Sequence, residues 1–170
     1  DAKYIGLEPY NWVTAWIAIT DSNEKNGCMR MWSGSHKDNL KKHDQMFDNG
    51  NLLTRGQTVK NVPIEKTTPL ILNAGQMSLH HPAVVHGSEQ NKSNDRRIGF
   101  VIQSYIATNV KQVLGKNAVQ LARGIDKSNH HEKIGRPISL LNENDLKIKK
   151  KENDNLQDIF YKGSSKKGSY

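Results

Sequence analysis

The sequence predicts a mainly β domain, an antiparallel sandwich or jelly roll. Between residues 11 and 107 it contains several short segments rich in β-branched and aromatic residues, separated by polar segments with turn signals such as Asn-Gly and Gly-Ser. Many short strands of this kind, with one long polar insertion and no internal repeat, are typical of that class. At 170 residues the chain is long enough for one domain with its own core.

The strands follow in chain order. Residues 11–20 (NWVTAWIAIT) are apolar on both faces, which is the pattern of a buried strand. An Asn-Gly turn signal separates this segment from residues 28–32 (CMRMW), which resume an extended pattern. Three more segments are predicted as strands: residues 68–73 (TPLILN), 77–86 (MSLHHPAVVH) and 96–107 (RRIGFVIQSYIA).

The remaining segments are predicted to lie outside the sheets. Residues 33–57 are polar with weak periodicity and are interpreted as a long excursion, whereas residues 110–124 are interpreted as one or two short helices. We expect a β core over residues 1–125, a C-terminal extension over 126–162 and a flexible, basic, disordered tail over 163–170.

Composition restricts the classes of partner. The formal net charge is +8, but much of the excess lies in Lys147–Lys151 and in the tail, where no aromatic residues interleave with the lysines. We therefore expect no nucleic-acid partner, and a basic surface favours an anionic small molecule. No apolar run approaches the roughly 18 residues of a membrane span. The single cysteine, Cys28, and the lack of a signal-peptide pattern predict a cytoplasmic protein.

Three histidines within residues 80–86 suggest a metal site, but strand geometry limits how they can act together. In a regular strand each residue advances about 3.3 Å, so His80 and His86 share a face at a separation of about 20 Å. His81 points to the opposite face. We therefore expect at most one of them in any single site, with His80 and His81 as pocket-wall or packing residues.

His86 and Arg97 are the strongest pair of candidate site residues. If the strands that carry them pair with each other, their Cβ atoms lie about 5 Å apart. An imidazole-bound metal beside a guanidinium would take an anionic chelating ligand, because the metal binds one end and the guanidinium fork binds a distant carboxylate. The alternative interpretation is that His86 ends a strand and Arg97 is a surface charge.

Two stretches resemble the phytanoyl-CoA dioxygenase family, namely HHPAVVHGSEQNKSNDRRIGF and, upstream, VTAWIAITDSNEKNGCMRMWSGSHK. The resemblance covers roughly the first 110 residues and continues more weakly through LARGIDKSNHH. It implies a double-stranded β-helix, the cupin-like form of the jelly roll, with a few flanking helices. It also implies Fe(II) as cofactor and 2-oxoglutarate as cosubstrate.

The resemblance also implies roles for five residues of this sequence. His86 corresponds to the second histidine of a facial triad of metal ligands, and Asp1 to its carboxylate. Arg97 corresponds to the arginine that holds the far carboxylate of 2-oxoglutarate, with Ser88 assisting it, and Trp16 lines the cosubstrate pocket. The remaining ligand, a histidine two residues before Asp1, is expected in a preceding part of the protein together with further strands.

The expected activity is hydroxylation of an unactivated C–H bond of a small-molecule substrate, with release of succinate and CO2. A retained aspartate at position 1 favours hydroxylation over halogenation. Two alternatives stay open: a jelly-roll module that binds an anionic ligand without catalysis, and a cupin-type metalloenzyme that does not use 2-oxoglutarate. Residues Arg97 and Ser88 disfavour the second alternative, because such an enzyme needs no carboxylate clamp.

Overall fold

The prediction of a mainly β chain is confirmed. The computed structural model describes residues 2–38 and 40–166. Its strands are β1 (Leu7–Glu8), β2 (Trp12–Ala18), β3 (Met29–Trp32), β4 (Asp44–Gln45), β5 (Gln57–Thr58), β6 (Thr67–Pro69), β7 (Met77–His80), β8 (His86–Ser88), β9 (Gly99–Ile106) and β10 (Lys111–Gln112). Its helices are α1 (Ala2–Ile5) and α2 (Glu143–Phe160), with short 3-10 turns at Ser35–Lys37 and Ile64–Lys66.

One compact unit, residues 12–44 and 58–106, contains two three-stranded antiparallel sheets. Their strand orders are β7-β2-β9 and β6-β3-β8. The central strand β2 is the most buried of them, as its apolar residues on both faces predict. Strands that follow one another along the chain, such as β2 and β3 or β8 and β9, therefore lie in different sheets.

The second unit consists of the described parts of residues 1–11, 45–57 and 107–170. In it β1 pairs with β10, and an aromatic cluster of Tyr4, Phe160 and Tyr161 joins α1 to the end of α2. Helix α2 begins after Asn142, whose side chain accepts hydrogen bonds from the backbone N–H groups of Asn144 and Asp145.

Residues 77–86 do not form the single strand that we predicted. Strand β7 ends at His80 and β8 begins at His86, and the two lie in different sheets. The chain turns between them after His81, where the N–H of Val84 donates to the carbonyl of His81 over 3.0 Å. Pro82 lies in this turn because its fixed φ suits a turn and it has no N–H to give to a ladder. The condition under which His86 and Arg97 would be cross-strand neighbours is not met, since β8 pairs with β3 and β9 with β2.

The helices predicted over residues 110–124 are absent from this described segment, which instead contains the short strand β10. Gly115 adopts a left-handed φ of 67°, and a Cβ there would meet Ile159 at 2.7 Å. A left-handed glycine interrupts a right-handed helix, so the apolar residues on either side of it do not share one helical face.

Other predictions about organisation are not tested by this structure. The boundaries at residues 125 and 162 stay predictions, and residues 167–170 of the expected tail lie outside the described part of the chain. In the described residues, no helix combines the length and apolar character that a bilayer span requires. The cytoplasmic location also stays a prediction.

Candidate functional site

His86 lies at the start of β8, opposite Met31 of β3. Its Nδ1 lies 3.0 Å from the carbonyl oxygen of Val84. A carbonyl can only accept, so Nδ1 carries the proton and the lone pair of the neutral ring is on Nε2. Burial lowers the pKa of His86, although the bond to Val84 opposes this shift. A neutral imidazole whose other N–H is held by a backbone carbonyl is the form in which histidine binds metals.

Arg97 contacts two other predicted site residues, Ser88 at the end of this strand and Trp16 of β2. The guanidinium of Arg97 donates a long hydrogen bond of 3.4 Å from Nη2 to the hydroxyl of Ser88. The Cζ atom of Arg97 lies 5.8 Å from the centroid of the Trp16 ring. Ser88 belongs to β8 and Trp16 to β2, and Arg97 precedes β9 by two residues, so both sheets contribute to the cluster. The roles of these residues toward a cosubstrate stay predictions.

Gly99 was missed as a site residue by the sequence analysis. It pairs with Ala18 at the start of β9, and a Cβ built on it would lie 2.2 Å from the ring of Trp16. Only a glycine leaves room for the indole at this point. A glycine that interrupts an otherwise apolar strand segment is the signal that could have indicated this close approach.

We expect Gly99→Ala to destabilise the protein by about 1–3 kcal/mol, because the new methyl group must displace the buried indole of Trp16 or the strand itself. Denaturant unfolding of the purified variant measures this change. Gly135→Ala is the matched control, since a Cβ there meets nothing within 4 Å. Equal unfolding free energies for the two variants would contradict the packing of Trp16 against Gly99.

His80 and His86 lie close together, contrary to our expectation of about 20 Å from regular strand geometry. Their ring centroids are 5.5 Å apart, because the turn after His81 brings the ends of β7 and β8 together. Burial, with a smaller contribution from His86, lowers the pKa of His80 to about 4. His81 is in contact with His36 instead, at 5.4 Å between ring centroids.

The described residues do not by themselves complete a metal site. Among residues 2–38 and 40–166, no three histidine, cysteine, aspartate or glutamate side chains are grouped so that they could hold a metal ion. Asp1, the predicted carboxylate ligand, lies outside the described residues, and its role stays a prediction. The state of the His86 ring fits a metal ligand, and its role as a ligand also stays a prediction.

Comparison with known sequences is consistent with this geometry. The sequence model of the family described as phytanoyl-CoA dioxygenase matches residues 1–99. The peroxisomal phytanoyl-CoA dioxygenase of Mus musculus is 29% identical over 99 residues, which are 57% of this chain and 29% of the relative. A phytanoyl-CoA dioxygenase domain-containing protein 1 homolog from Caenorhabditis elegans is 30% identical over 119 residues, covering 65% of this chain and 41% of the relative.

Among solved structures, the chain is similar to a non-heme monooxygenase. The non-heme monooxygenase ThoJ, in its apo form, superposes with a TM-score of 0.82 at 28% identity and covers 95% of this chain and 58% of its own. A complex of ThoJ with Ni superposes with a TM-score of 0.73 at 27% identity, over 95% of this chain and 57% of its own. The chain thus spans less than half of the curated relatives and somewhat over half of ThoJ. On the match over residues 1–99, the chain belongs to the phytanoyl-CoA dioxygenase family.

Proposed function

We propose that the full-length protein is an Fe(II)- and 2-oxoglutarate-dependent dioxygenase that hydroxylates a C–H bond of a small-molecule substrate and releases succinate and CO2. The observation that carries the proposal is the contact of Arg97 with Trp16 of β2 and with Ser88, which lies on the same strand as His86. This arrangement offers a bidentate cation at one end and a neutral imidazole at the other. A dicarboxylate that also chelates a metal needs both.

In this proposal His86, through Nε2, and Asp1 hold the iron together with a histidine of the preceding part of the protein. Arg97 and Ser88 bind the far carboxylate of the cosubstrate, and the indole of Trp16 forms an apolar wall that excludes water from the guanidinium. Fe(II), when bound, supplies the redox chemistry that activates oxygen, and the protein supplies binding and orientation. An Asp1 ligand favours hydroxylation over halogenation.

The proposed fold is the double-stranded β-helix form of the jelly roll. Its support is the topology, because consecutive strands alternate between the sheets β7-β2-β9 and β6-β3-β8. This alternation places the ends of β7 and β8 side by side and so brings His80 to His86.

The direct test is turnover by the full-length protein. With Fe(II), oxygen and 2-oxoglutarate we expect succinate to form, and we expect a competent small-molecule substrate to accelerate its release. Omission of Fe(II) is the control and should stop succinate formation. If 2-oxoglutarate binds but is never consumed under any of these conditions, the non-catalytic binding module is the correct alternative. If metal-dependent turnover of substrate occurs without 2-oxoglutarate, the cupin-type enzyme is correct.

A further inference from the structure

Strand β7 presents two polar side chains to the face of the sheet that carries Trp16. Ser78 pairs across the strands with Trp16, and His80 pairs with Thr14. Directly opposed residues in an antiparallel pair project from the same face, and residues two apart on a strand share that face. Ser78 and His80 therefore lie on the side of the sheet occupied by the candidate site, whereas Leu79 between them points away and is 61% exposed.

Both side chains contain a buried polar atom that lacks a hydrogen-bond partner. Within the described ranges 2–38 and 40–166, neither the hydroxyl oxygen of Ser78 nor Nδ1 of His80 makes a hydrogen bond. Most buried polar groups in folded proteins are paired, because an unpaired group loses its bonds to water without replacement. Two such groups on the same face of β7 indicate a place where a polar ligand supplies the missing hydrogen-bond partners.

Ser78 and His80 each lie near one end of the candidate site, the end at Arg97 and the end at His86. Ser78 lies beside Trp16, and the guanidinium of Arg97 lies over the Trp16 ring. The ring of His80 lies beside that of His86. Residues two apart on a strand are separated by about 6.6 Å. An extended ligand of a few carbon atoms, reaching from the imidazole end to the guanidinium end, would therefore run along both side chains.

We propose that Ser78 and His80 are binding residues for 2-oxoglutarate. The Ser78 hydroxyl donates a hydrogen bond to the carboxylate that Arg97 and Ser88 hold. The ring N–H of His80 donates to the carboxylate at the metal end. The inference rests on the proposed function. It adds polar side chains of β7 to the cosubstrate pocket, which is then formed by β2, β7 and β8.

The test is calorimetric titration of 2-oxoglutarate into the full-length protein loaded with Ni(II), which replaces iron without turnover. We expect Ser78→Ala and His80→Phe each to raise the Kd for 2-oxoglutarate about tenfold or more, since each removes a hydrogen bond to a charged group. His80→Gln keeps an N–H donor and should recover part of the affinity. Leu79→Ala, on the opposite face of the same strand, is the control and should leave the Kd unchanged.

The Ni(II) affinity separates the possible outcomes. Ser78→Ala should leave it unchanged, because the hydroxyl contacts only the cosubstrate. Wild-type affinity for 2-oxoglutarate in both variants would overturn the inference while leaving the proposed function intact. A weaker Ni(II) affinity in His80→Phe, with the affinity for 2-oxoglutarate retained, would also overturn it by assigning His80 to the metal. A wild-type protein that binds Ni(II) but no 2-oxoglutarate would overturn the proposed function itself.

Discussion

Replacing His86 by alanine is expected to abolish both metal binding and succinate release in the full-length protein. The ring is neutral with its lone pair on Nε2, the form in which histidine binds metals, because Nδ1–H donates to the carbonyl of Val84 and burial lowers the pKa. Removing one of three protein ligands leaves an open site that holds a divalent ion far more weakly. Metal content after dialysis and succinate formation with excess Fe(II) measure the two effects.

The control for this substitution is His130→Ala, since His130 is exposed and lies in the other compact unit. We expect that variant to retain the metal content and turnover of the wild type. Full turnover in His86→Ala would remove His86 from the metal site and with it the proposed facial triad. Loss of turnover with normal metal content would instead assign His86 to another step.

Replacing Arg97 by lysine is expected to raise the KM for 2-oxoglutarate about tenfold or more with a smaller change in kcat. The guanidinium presents a planar fork that bonds a carboxylate through two N–H groups and lies over Trp16, whereas a lysine ammonium is a point charge. The net charge is unchanged, so the effect reports geometry and not electrostatics alone. Initial rates of succinate formation over a range of 2-oxoglutarate concentrations provide the two constants.

Arg96→Lys is the matched control, because Arg96 is the adjacent arginine and its side chain is exposed. The KM of this variant should equal that of the wild type. Equal KM values for Arg97→Lys and Arg96→Lys would show that Arg97 lies outside the cosubstrate site. The Ser88 contact would then be a structural bond between β8 and the approach to β9.

The sequence predicted the strands whose pattern depends on burial alone. Residues 11–20 are apolar on both faces, and β2 lies there at the centre of its sheet. The meeting of Trp16, Ser88 and Arg97 follows the resemblance to the family and could not follow from spacing. Three distant segments form this cluster, and single-strand periodicity contains no information about which strands become neighbours.

The errors have a common physical origin in turns. The rise of about 3.3 Å per residue applies to a regular strand, and from it we predicted a separation of about 20 Å between His80 and His86. The turn that includes Pro82 follows β7, and β8 lies in the other sheet. The ring centroids of His80 and His86 are therefore 5.5 Å apart. The helix predicted near Gly115 failed because that glycine adopts a left-handed conformation against Ile159. In both cases tertiary packing decides a conformation that local pattern leaves open.

The most direct measurement is a crystal structure of the full-length protein with Ni(II) and 2-oxoglutarate, with the metal located by anomalous scattering. The account predicts a metal ion bonded to Nε2 of His86 and to the carboxylate of Asp1. It also predicts a cosubstrate whose far carboxylate is held by Arg97 and Ser88, with the molecule lying along β7. A metal ion bound away from His86, or a 2-oxoglutarate whose far carboxylate is directed away from Arg97, would contradict it.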